Sequence, residues 1–361
     1  MSLLSKIKSY LPASSRSLHG MFAEVVKLRE ENQSLLSKLD AIEGRLSVFR
    51  PLDAEVASCK EGIDSLDGKV DAFEAQTVGL LWDLYKEEGE SLLDAKRRFF
   101  KTLPKAEGAL RGRQLELANL LKGFDAICKE NGVRYFLAIG TLLGALRHEG
   151  FVPWDDDVDV GVMREDIDRL ADALKFSEEF EITTAYDQYV FCKQVRFKRK
   201  GSQERDPFID LFIYEYSGCE THEDLLAVKS IREDLLTEFI EQNESDPNGY
   251  PLWACVGDNN EPIQENLKGL YDEQRKRAFD EGLYVEKERA KSIIWSLENL
   301  SFGDPVHIIP IQYFDEMMTA TFEGGEYPVL GNSETLLSQH YGDWLKMPRD
   351  VYTHFKHDGS M

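Results

Sequence analysis

The sequence predicts an α/β fold, in which a mixed β-sheet is flanked by helices and is preceded by a helical coiled-coil stalk. Three observations predict it. Apolar residues recur at heptad spacing through residues 21–80, which is the pattern of a coiled coil. From residue 109 onward, short apolar runs typical of strands alternate with amphipathic stretches typical of helices. Two of the predicted strands carry aspartates, in "PWDDDVDV" (153–160) and "PFIDLFIY" (207–214).

The composition limits the class of protein. The chain has 361 residues, enough for one large domain and an accessory segment. Its net charge of −23 repels nucleic-acid phosphates, which argues against a general nucleic-acid binder. The five cysteines lie far apart with no CxxC pair, a distribution that suits a reducing cytoplasm. We see neither the apolar run of a signal peptide nor the roughly 18 apolar residues of a membrane span, and we expect a cytoplasmic protein.

Residues 1–20 form a basic, mildly amphipathic arm in which leucine and isoleucine alternate with lysine. Such an arm fits peripheral contact with the inner face of the cell membrane. It fits equally well a short segment packed on a partner chain, and both alternatives remain open.

Residues 21–82 are predicted to be a coiled-coil oligomerisation segment. The apolar positions step by four and three through 21–49 and again through 52–80, with Asn32 at one core position. A buried asparagine at such a position fixes register, often in a dimer. Pro51 coincides with a break in the phase of the repeat. We expect a homo-oligomer through this stalk; a helix pair folded back at Pro51, or a helix lying on the globular part, is the alternative.

Residues 83–108 are predicted to be a helical linker, and residues 109–361 a catalytic domain. The amphipathic helix after residue 109 ends at Asn131-Gly132. The elements predicted beyond it are strands at 133–138, 158–163, 180–184, 189–198 and 207–214, and helices that begin at Gly140-Thr141 and cover 164–174, 222–244 and 264–293.

Asp157 and Asp159 are expected to point to the same side of a strand, because side chains two apart share a face about 6.5–7 Å apart. Two carboxylates at that separation can converge on Mg²⁺, and two such ions can clamp the attacking and leaving oxygens of a phosphoryl displacement. Without metal, mutual repulsion is expected to raise the pKa of at least one of these aspartates.

Asp210 supplies a third carboxylate from a neighbouring strand. It stands alone in the apolar run FIDLFIY, where burial is costly unless the group is paired or bound to a metal. The alternative is an edge strand with Asp210 in water.

Two further stretches suggest anion binding. A helix that begins at Gly140-Thr141 presents backbone N–H groups and a hydroxyl to an anion, and Arg147 lies about two turns later. The basic stretch KQVRFKRK (193–200) offers Lys193 or Arg196 to the substrate, depending on register. A solvated strand end is the alternative for that stretch.

The segment YFLAIGTLLGALRHEGFVPWDDDVDVGVMREDIDRL (135–170) closely resembles the LicD/fukutin-related family of phosphocholine and polyol-phosphate transferases, in the polymerase-beta-like nucleotidyltransferase superfamily. The resemblance continues at FIDLFIY and in residues 322–348, covers roughly 109–350, and leaves the stalk outside. It implies a nucleotidyltransferase-like mixed sheet. It also implies a reaction dependent on Mg²⁺ or Mn²⁺, in which a CDP-activated alcohol such as CDP-choline gives its phospho-alcohol to a sugar hydroxyl and CMP leaves.

The resemblance also implies roles for single residues. Asp157 and Asp159 match the metal-binding pair, and Asp210 matches a third carboxylate that is either a ligand or the base for the sugar proton. The remaining matched positions, on the substrate side, are Gly140, Thr141, Arg147, Trp154 and Asp155. The acceptor expected is a glycan precursor, in particular a lipid-linked one.

Two alternative functions remain at this stage. The same three aspartates would serve a nucleotidyltransferase that uses an NTP and releases pyrophosphate. A protein of a different class, a scaffold whose coiled coil is its main function, is the other alternative.

Overall fold

The computed structural model describes residues 78–186, 193–203, 205–243, 261–298 and 308–347, together with a few positions between 60 and 72. The chain divides into two units, Met1–Lys86 and Glu87–Met361. In the first unit residues 78–85 are helical, and Leu80 and Leu84 are exposed on that helix. The basic arm and most of the predicted coiled coil lie outside the described residues, so the stalk stays a prediction.

The second unit begins with two helices, α1 (Leu92–Lys101) and α2 (Gly108–Asn131). α1 lies within the stretch predicted as a linker and packs on the main core through Phe100, which is fully buried. α2 ends where the sequence predicts, because Gly132 adopts the left-handed conformation (φ 63°) that closes a helix.

A seven-stranded mixed sheet forms the centre of the second unit. Its strands are β1 (Tyr135–Leu137), β2 (Asp159–Met163), β3 (Phe180–Tyr186), β4 (Lys193–Arg199), β5 (Phe208–Ser217), β6 (Ser292–Trp295) and β7 (Ile309–Pro310). The order is β1-β2-β5-β4-β3, with β6 paired to the second half of β5 and β7 paired to β6. β2 and β5 run parallel, whereas the other neighbours run antiparallel.

Helices and one hairpin complete this unit and confirm the predicted α/β class. They are α3 (Ile139–His148), α4 (Arg164–Leu174), α5 (His222–Asn243), α6 (Glu261–Asp280), α7 (Ile311–Asp315), α8 (Ser333–Tyr341), and the hairpin of β8 (Met318–Phe322) and β9 (Gly325–Val329). The helix predicted over 264–293 is wrong at its C-terminal end. It stops at Asp280 because Gly282 is left-handed (φ 74°), and the apolar run SIIW then becomes β6.

The position of β5 decides the environment of Asp210. Residues 208–217 pair with β2 on one side and with β4 and β6 on the other. The alternative of an edge strand with Asp210 in water is therefore wrong. Ile209, Leu211 and Ile213 are buried in the main core, and alternation turns Asp210 to the opposite face.

In the part of the chain that the structure describes, no helix combines the length and the apolar character needed to cross a membrane.

Candidate active site

Three neighbouring strands bring two carboxylates and a guanidinium into one row. Asp159 on β2 lies directly opposite Asp210 on β5, and Asp210 lies opposite Arg196 on β4. Residues opposite one another on neighbouring strands project from the same face of a sheet. Asp159 is buried, and so is the Oδ1 atom of Asp210. The row therefore holds two carboxylates side by side, with one positive charge at its end.

Three further aspartates, Asp155, Asp156 and Asp157, lie before the strand. β2 begins at Asp159, so the prediction of a strand that includes Asp157 is wrong at its start. Residues 155–158 form a loop in which Asp155 and Asp157 share a side-chain hydrogen bond. Two carboxyl groups can share a hydrogen bond only if one of them carries a proton, because ionised carboxylates only accept. The loop therefore places the hydrogen-bonded carboxyl groups of Asp155 and Asp157 just before the first residue of β2.

Burial and repulsion together disfavour ionisation of this cluster. Burial, followed by the charges of Asp157 and Asp210, raises the pKa of Asp159 well above its usual range. Burial raises the pKa of Asp210 to about 7, although the charge of Arg196 opposes the shift. Burial and then the charge of Asp157 raise the pKa of Asp155 as well. These directions agree with the expected rise, but burial rather than repulsion is the larger cause.

The first turn of α3 is directed at the aspartates. The backbone N–H of Gly140 hydrogen-bonds to the Asp159 carboxylate, which favours its charged form. The Thr141 hydroxyl accepts a hydrogen bond of 2.8 Å from the Asp159 N–H. A Cβ atom on residue 140 would stand 3.1 Å from Asp155 Oδ2. The side chain of Asp155 can therefore approach α3 this closely because residue 140 is a glycine. Ile139 is left-handed (φ 46°), a costly conformation for a β-branched residue.

Arg147 joins α3 to the C-terminal part of the domain. It is buried, donates to the Trp344 carbonyl at 2.9 Å, and stacks its guanidinium 4.6 Å from the ring centre of Phe100. Burial lowers its pKa to about 10, while electrostatic interaction with Tyr341 and with Asp155 opposes that shift. The positive charge of Arg147 therefore lies close to the acidic loop, while one hydrogen bond of its guanidinium is directed at residue 344.

Two predicted residues lie away from the row. The ammonium of Lys193 contacts Glu298 Oε1 at 3.1 Å, in an ion-pair network that includes Arg164. The register of β4 therefore places Arg196 rather than Lys193 beside Asp210. Trp154, at the start of the acidic loop, is half-buried and packs against the main core.

The sequence prediction missed two residues of α2 that hold the acidic loop. Arg113 Nε donates to the Asp156 carbonyl at 2.8 Å, and Gln114 Nε2 donates to the Asp155 carbonyl at 2.8 Å. Gln114 is fully buried. The sequence spacing could have identified Gln114. It precedes Leu117 and Leu121 by three and seven residues, so it lies on the same buried face of the helix as these two leucines.

The cluster fits a divalent cation by its chemistry. Asp210 Oδ1 is buried and has no hydrogen-bond partner among the described residues, and oxygen is the ligand that Mg²⁺ prefers. No three His, Cys, Asp or Glu side chains in the described ranges are arranged to hold one ion by themselves. Mg²⁺ is commonly held by one or two carboxylates together with substrate phosphates and water. Asp159 and Asp210 provide the two carboxylates of such a site, and the substrate and water would provide the remaining ligands.

A small cavity lies on the same face of the sheet as Asp210, further along β5. Its volume is about 60 Å³, and its walls include Ile139 at the start of α3, Tyr214 on β5, Trp295 on β6 and Tyr341 at the end of α8. Tyr214 is four residues beyond Asp210 and on the same face of β5. The charge of Asp159 contributes to the raised pKa of both tyrosines, after burial. The cavity therefore lies further along the same face of the sheet, about 13 Å beyond Asp210 along β5.

Comparison with known proteins finds similarity to one family over these elements. The profile described as LicD/FKTN/FKRP, nucleotidyltransferase domain, matches residues 132–241, which include β1 to β5 and the three aspartates. The chain is 28% identical over 251 residues to the lipopolysaccharide cholinephosphotransferase LicD of Haemophilus influenzae, covering 66% of this chain and 92% of that protein. It is 28% identical over 185 residues to an uncharacterized protein of Rickettsia prowazekii (46% and 66%). A match of 36 residues is 58% identical to human ribitol 5-phosphate transferase FKRP (10% and 7%).

The hydrogen bonds of Gln114 predict a local effect on the acidic loop. Gln114→Leu leaves the Asp155 carbonyl without its buried donor and is expected to lower the free energy of unfolding by about 1–3 kcal/mol. Gln312→Leu changes an exposed glutamine on α7 and is expected to stay within about 0.5 kcal/mol. Urea denaturation of both variants measures this, and equal stabilities would contradict the assigned role of Gln114.

The raised pKa of Asp210 predicts how stability depends on pH. Between the ordinary value of 3.8 and about 7, the folded state binds more protons than the unfolded state. The free energy of unfolding of metal-free protein therefore falls as pH rises through this window. At pH 8, Asp210→Asn is expected to stabilise the metal-free protein by on the order of 1–3 kcal/mol.

Thermal unfolding in EDTA at pH 4.5 to 8 tests this, with Asp168→Asn, an exposed aspartate on α4, as the matched control. Adding Mg²⁺ at pH 8 is expected to recover stability in the wild type more than in Asp210→Asn. A destabilised Asp210→Asn variant at pH 8 would overturn the assignment of Asp210 as a buried, repelled carboxylate.

Proposed function

Because the chain belongs to the LicD/fukutin-related family and is a LicD-type phosphotransferase, we propose that it modifies a cell-surface glycan precursor with a phospho-alcohol. The donor is a CDP-activated alcohol, the acceptor is a sugar hydroxyl of the glycan or of its lipid-linked form, and CMP leaves. LicD is a lipopolysaccharide cholinephosphotransferase and FKRP is a ribitol 5-phosphate transferase. The transferred unit is accordingly phosphocholine or a polyol phosphate.

The observation that supports this proposal best is the placement of Asp159 opposite Asp210 on parallel neighbouring strands. Buried carboxylates that repel one another are costly, and a role with a cation explains why they are present. Asp157, Asp159 and Asp210 would hold Mg²⁺ or Mn²⁺, with two ions as the proposed number. When bound, the ions would neutralise the diphosphate of the donor and stabilise the charge that develops on the leaving CMP.

The chain's own residues orient this cluster and the donor. Gly140 and Thr141 fix the backbone and the carboxylate of Asp159 through two hydrogen bonds. Arg196 supplies the cation at the end of the row. Its Nε is buried without a hydrogen-bond partner among the described residues, and its guanidinium lies 4.2 Å from the centre of the Phe208 ring, so its contribution to the donor is through its charge. Arg147 is directed at the Trp344 carbonyl, so its contribution to an anionic donor is through its charge.

Two roles in the reaction are open to Asp210. It is either the third ligand or the base that accepts the proton of the attacking sugar hydroxyl. Its place between Asp159 and Arg196 suits both roles, since the carboxylate is next to a ligand and next to a cation. Transfer of NMP from an NTP would use the same aspartates, because the matched family profile is itself described as a nucleotidyltransferase domain.

The quaternary structure and location are further parts of the proposal. We propose that the heptad segment joins copies of the chain, and that the basic arm brings a cytoplasmic enzyme to the inner face of the membrane. Exposed Leu80 and Leu84 continue the heptad spacing into the described helix. Light scattering of the full-length chain at micromolar concentration tests the oligomer, which a monomer's mass would contradict.

The catalytic proposal is tested by removing single carboxylates. Asp159→Asn and Asp210→Asn keep the shape of the side chain but lose the negative oxygens, and each is expected to lower metal-dependent CMP release at least about 100-fold. Asp168→Asn, exposed on α4, is the control and is expected to keep the wild-type rate. CMP formation is measured with CDP-choline, CDP-ethanolamine, CDP-glycerol and CDP-ribitol, each with Mg²⁺ and with EDTA.

Three outcomes would contradict this proposal. One is CMP release at the wild-type rate by Asp159→Asn or Asp210→Asn. Another is CMP release by the wild-type protein at a rate that EDTA does not change. The third is pyrophosphate release from CTP or ATP with no CMP from any CDP-alcohol, which would support nucleotidyl transfer instead.

A further inference from the structure

His148, the last residue of α3, connects α1 to the guanidinium of Arg147 through its imidazole ring. Its Nδ1 atom lies 2.9 Å from the carbonyl oxygen of Phe100, near the end of α1. Its Nε2 atom lies 3.0 Å from Nε of Arg147. The Phe100 ring also packs edge-on against the imidazole, with ring centres 5.7 Å apart. The imidazole is therefore held through both of its nitrogen atoms.

These two contacts determine the tautomer of the ring. A carbonyl oxygen accepts hydrogen bonds and never donates them, so Nδ1 must carry the proton that is donated to Phe100. The Nε of Arg147 is a donor, so Nε2 must be the unprotonated nitrogen that accepts. Burial, and then the charge of Arg147, lowers the pKa of His148 to about 4, which agrees with a neutral ring at pH 7. Both contacts require the same neutral tautomer.

The guanidinium of Arg147 is held from three directions. Nε is directed at His148, Nη1 donates to the Trp344 carbonyl at 2.9 Å, and the group lies 4.6 Å from the centre of the Phe100 ring. In the part of the chain that the structure describes, Nε has no other acceptor than His148. Arg147 is buried, and a buried charged donor without an acceptor is costly. His148 therefore fixes how the guanidinium is oriented.

The orientation of Arg147 bears on the acidic loop. Gly140, which Asp155 approaches closely, lies seven residues before Arg147 and therefore on the same face of α3, about two turns away. Arg147 also interacts electrostatically with Asp155 and with Tyr341 at the end of α8. A rotated guanidinium would move its charge relative to the loop and would release the carbonyl of Trp344.

We propose that His148 is a positioning residue: its neutral imidazole orients the Arg147 guanidinium, and the charge of Arg147 then favours binding of the anionic donor beside the acidic loop. The proposal rests on the proposed function, since it concerns the same CDP-activated donor. It adds a residue that acts through Arg147 and needs no contact with the donor itself. The alternative is a purely structural connection between α1 and α3.

Two conservative variants separate these roles because each keeps one contact. In His148→Gln, the side-chain oxygen takes the place of Nε2 and accepts from Arg147, while the bond to Phe100 is lost. In His148→Asn, the side-chain nitrogen takes the place of Nδ1 and donates to Phe100, while Arg147 loses its acceptor. A charge that acts on the donor before and during transfer affects KM more than kcat.

We therefore expect His148→Asn to raise the KM for the donor about tenfold, with kcat within about threefold of the wild type. His148→Gln is expected to keep the KM within about threefold. Added to Arg147→Lys, which has no Nε–H, His148→Asn is expected to raise the KM by no more than about twofold further. His222→Asn changes an exposed histidine of α5 and is the control.

The KM is measured from CMP release with Mg²⁺ and whichever of CDP-choline, CDP-ethanolamine, CDP-glycerol and CDP-ribitol the wild type uses fastest. Circular dichroism establishes that each variant is folded under the assay conditions.

The tautomer is measured without donor or metal. Nitrogen-15 NMR of protein with labelled histidine distinguishes protonated from unprotonated ring nitrogens, and the signal that His148→Gln lacks belongs to His148. Neutral histidine in water carries its proton mainly on Nε2. A His148 proton on Nδ1 at pH 7 is therefore the result expected from the two contacts.

The outcomes separate this proposal from the proposed function. A raised KM in His148→Asn alone, with the proton on Nδ1 in the wild type, supports both. Equal KM values in the Asn and Gln variants, a proton on Nε2, or a full tenfold further rise in the double variant overturns the positioning role. CMP release by the wild type then leaves the proposed function standing. No CMP from any CDP-alcohol overturns the proposed function and, with it, the role of His148 in donor binding.

Discussion

The parallel pairing of β2 with β5 sets Asp159 directly opposite Asp210, and the rest of the site depends on that register. A shift of β5 by one residue would turn Asp210 into the main core and Leu211 toward the site, because the side chains of a strand alternate between faces. The apolar residues on the core face, Ile209, Leu211 and Ile213, prevent that shift because all three are buried. The hydrophobic core therefore fixes the position of two carboxylates that would otherwise repel one another.

Separate parts of the chain converge on the acidic loop at the head of β2. α2 holds the loop carbonyls through Arg113 and Gln114, while the first turn of α3 holds Asp159 through Gly140. Arg147 extends this support by binding the Trp344 carbonyl, although residue 344 is far away in sequence. Groups held in this way need little rearrangement when a charged ligand arrives, and such preorganisation is a main source of electrostatic catalysis.

The sequence predicts much of this domain because its signals are local. The aspartates of β2 and β5, the turn at Gly140 and the end of α2 at Gly132 follow from neighbouring residues alone. What could not be predicted depends on contacts between distant segments. The choice of Arg196 over Lys193 required the register of β4, and the length of α6 required the pairing of β6 with β5. The loop at Asp157 reads like a strand because its alternation continues that of β2, although the pairing stops at Asp159.

The central claim is that Asp159 and Asp210 gather divalent ions for the donor's phosphates. Anomalous X-ray scattering from crystals grown with Mn²⁺ and a CDP-alcohol tests it most directly, since manganese is located independently of any assumed ligand. Our interpretation predicts a manganese peak between the Asp159 and Asp210 carboxylates and in contact with a donor phosphate oxygen. Manganese bound elsewhere, with these two carboxylates free of metal in a donor-bound crystal, would contradict it.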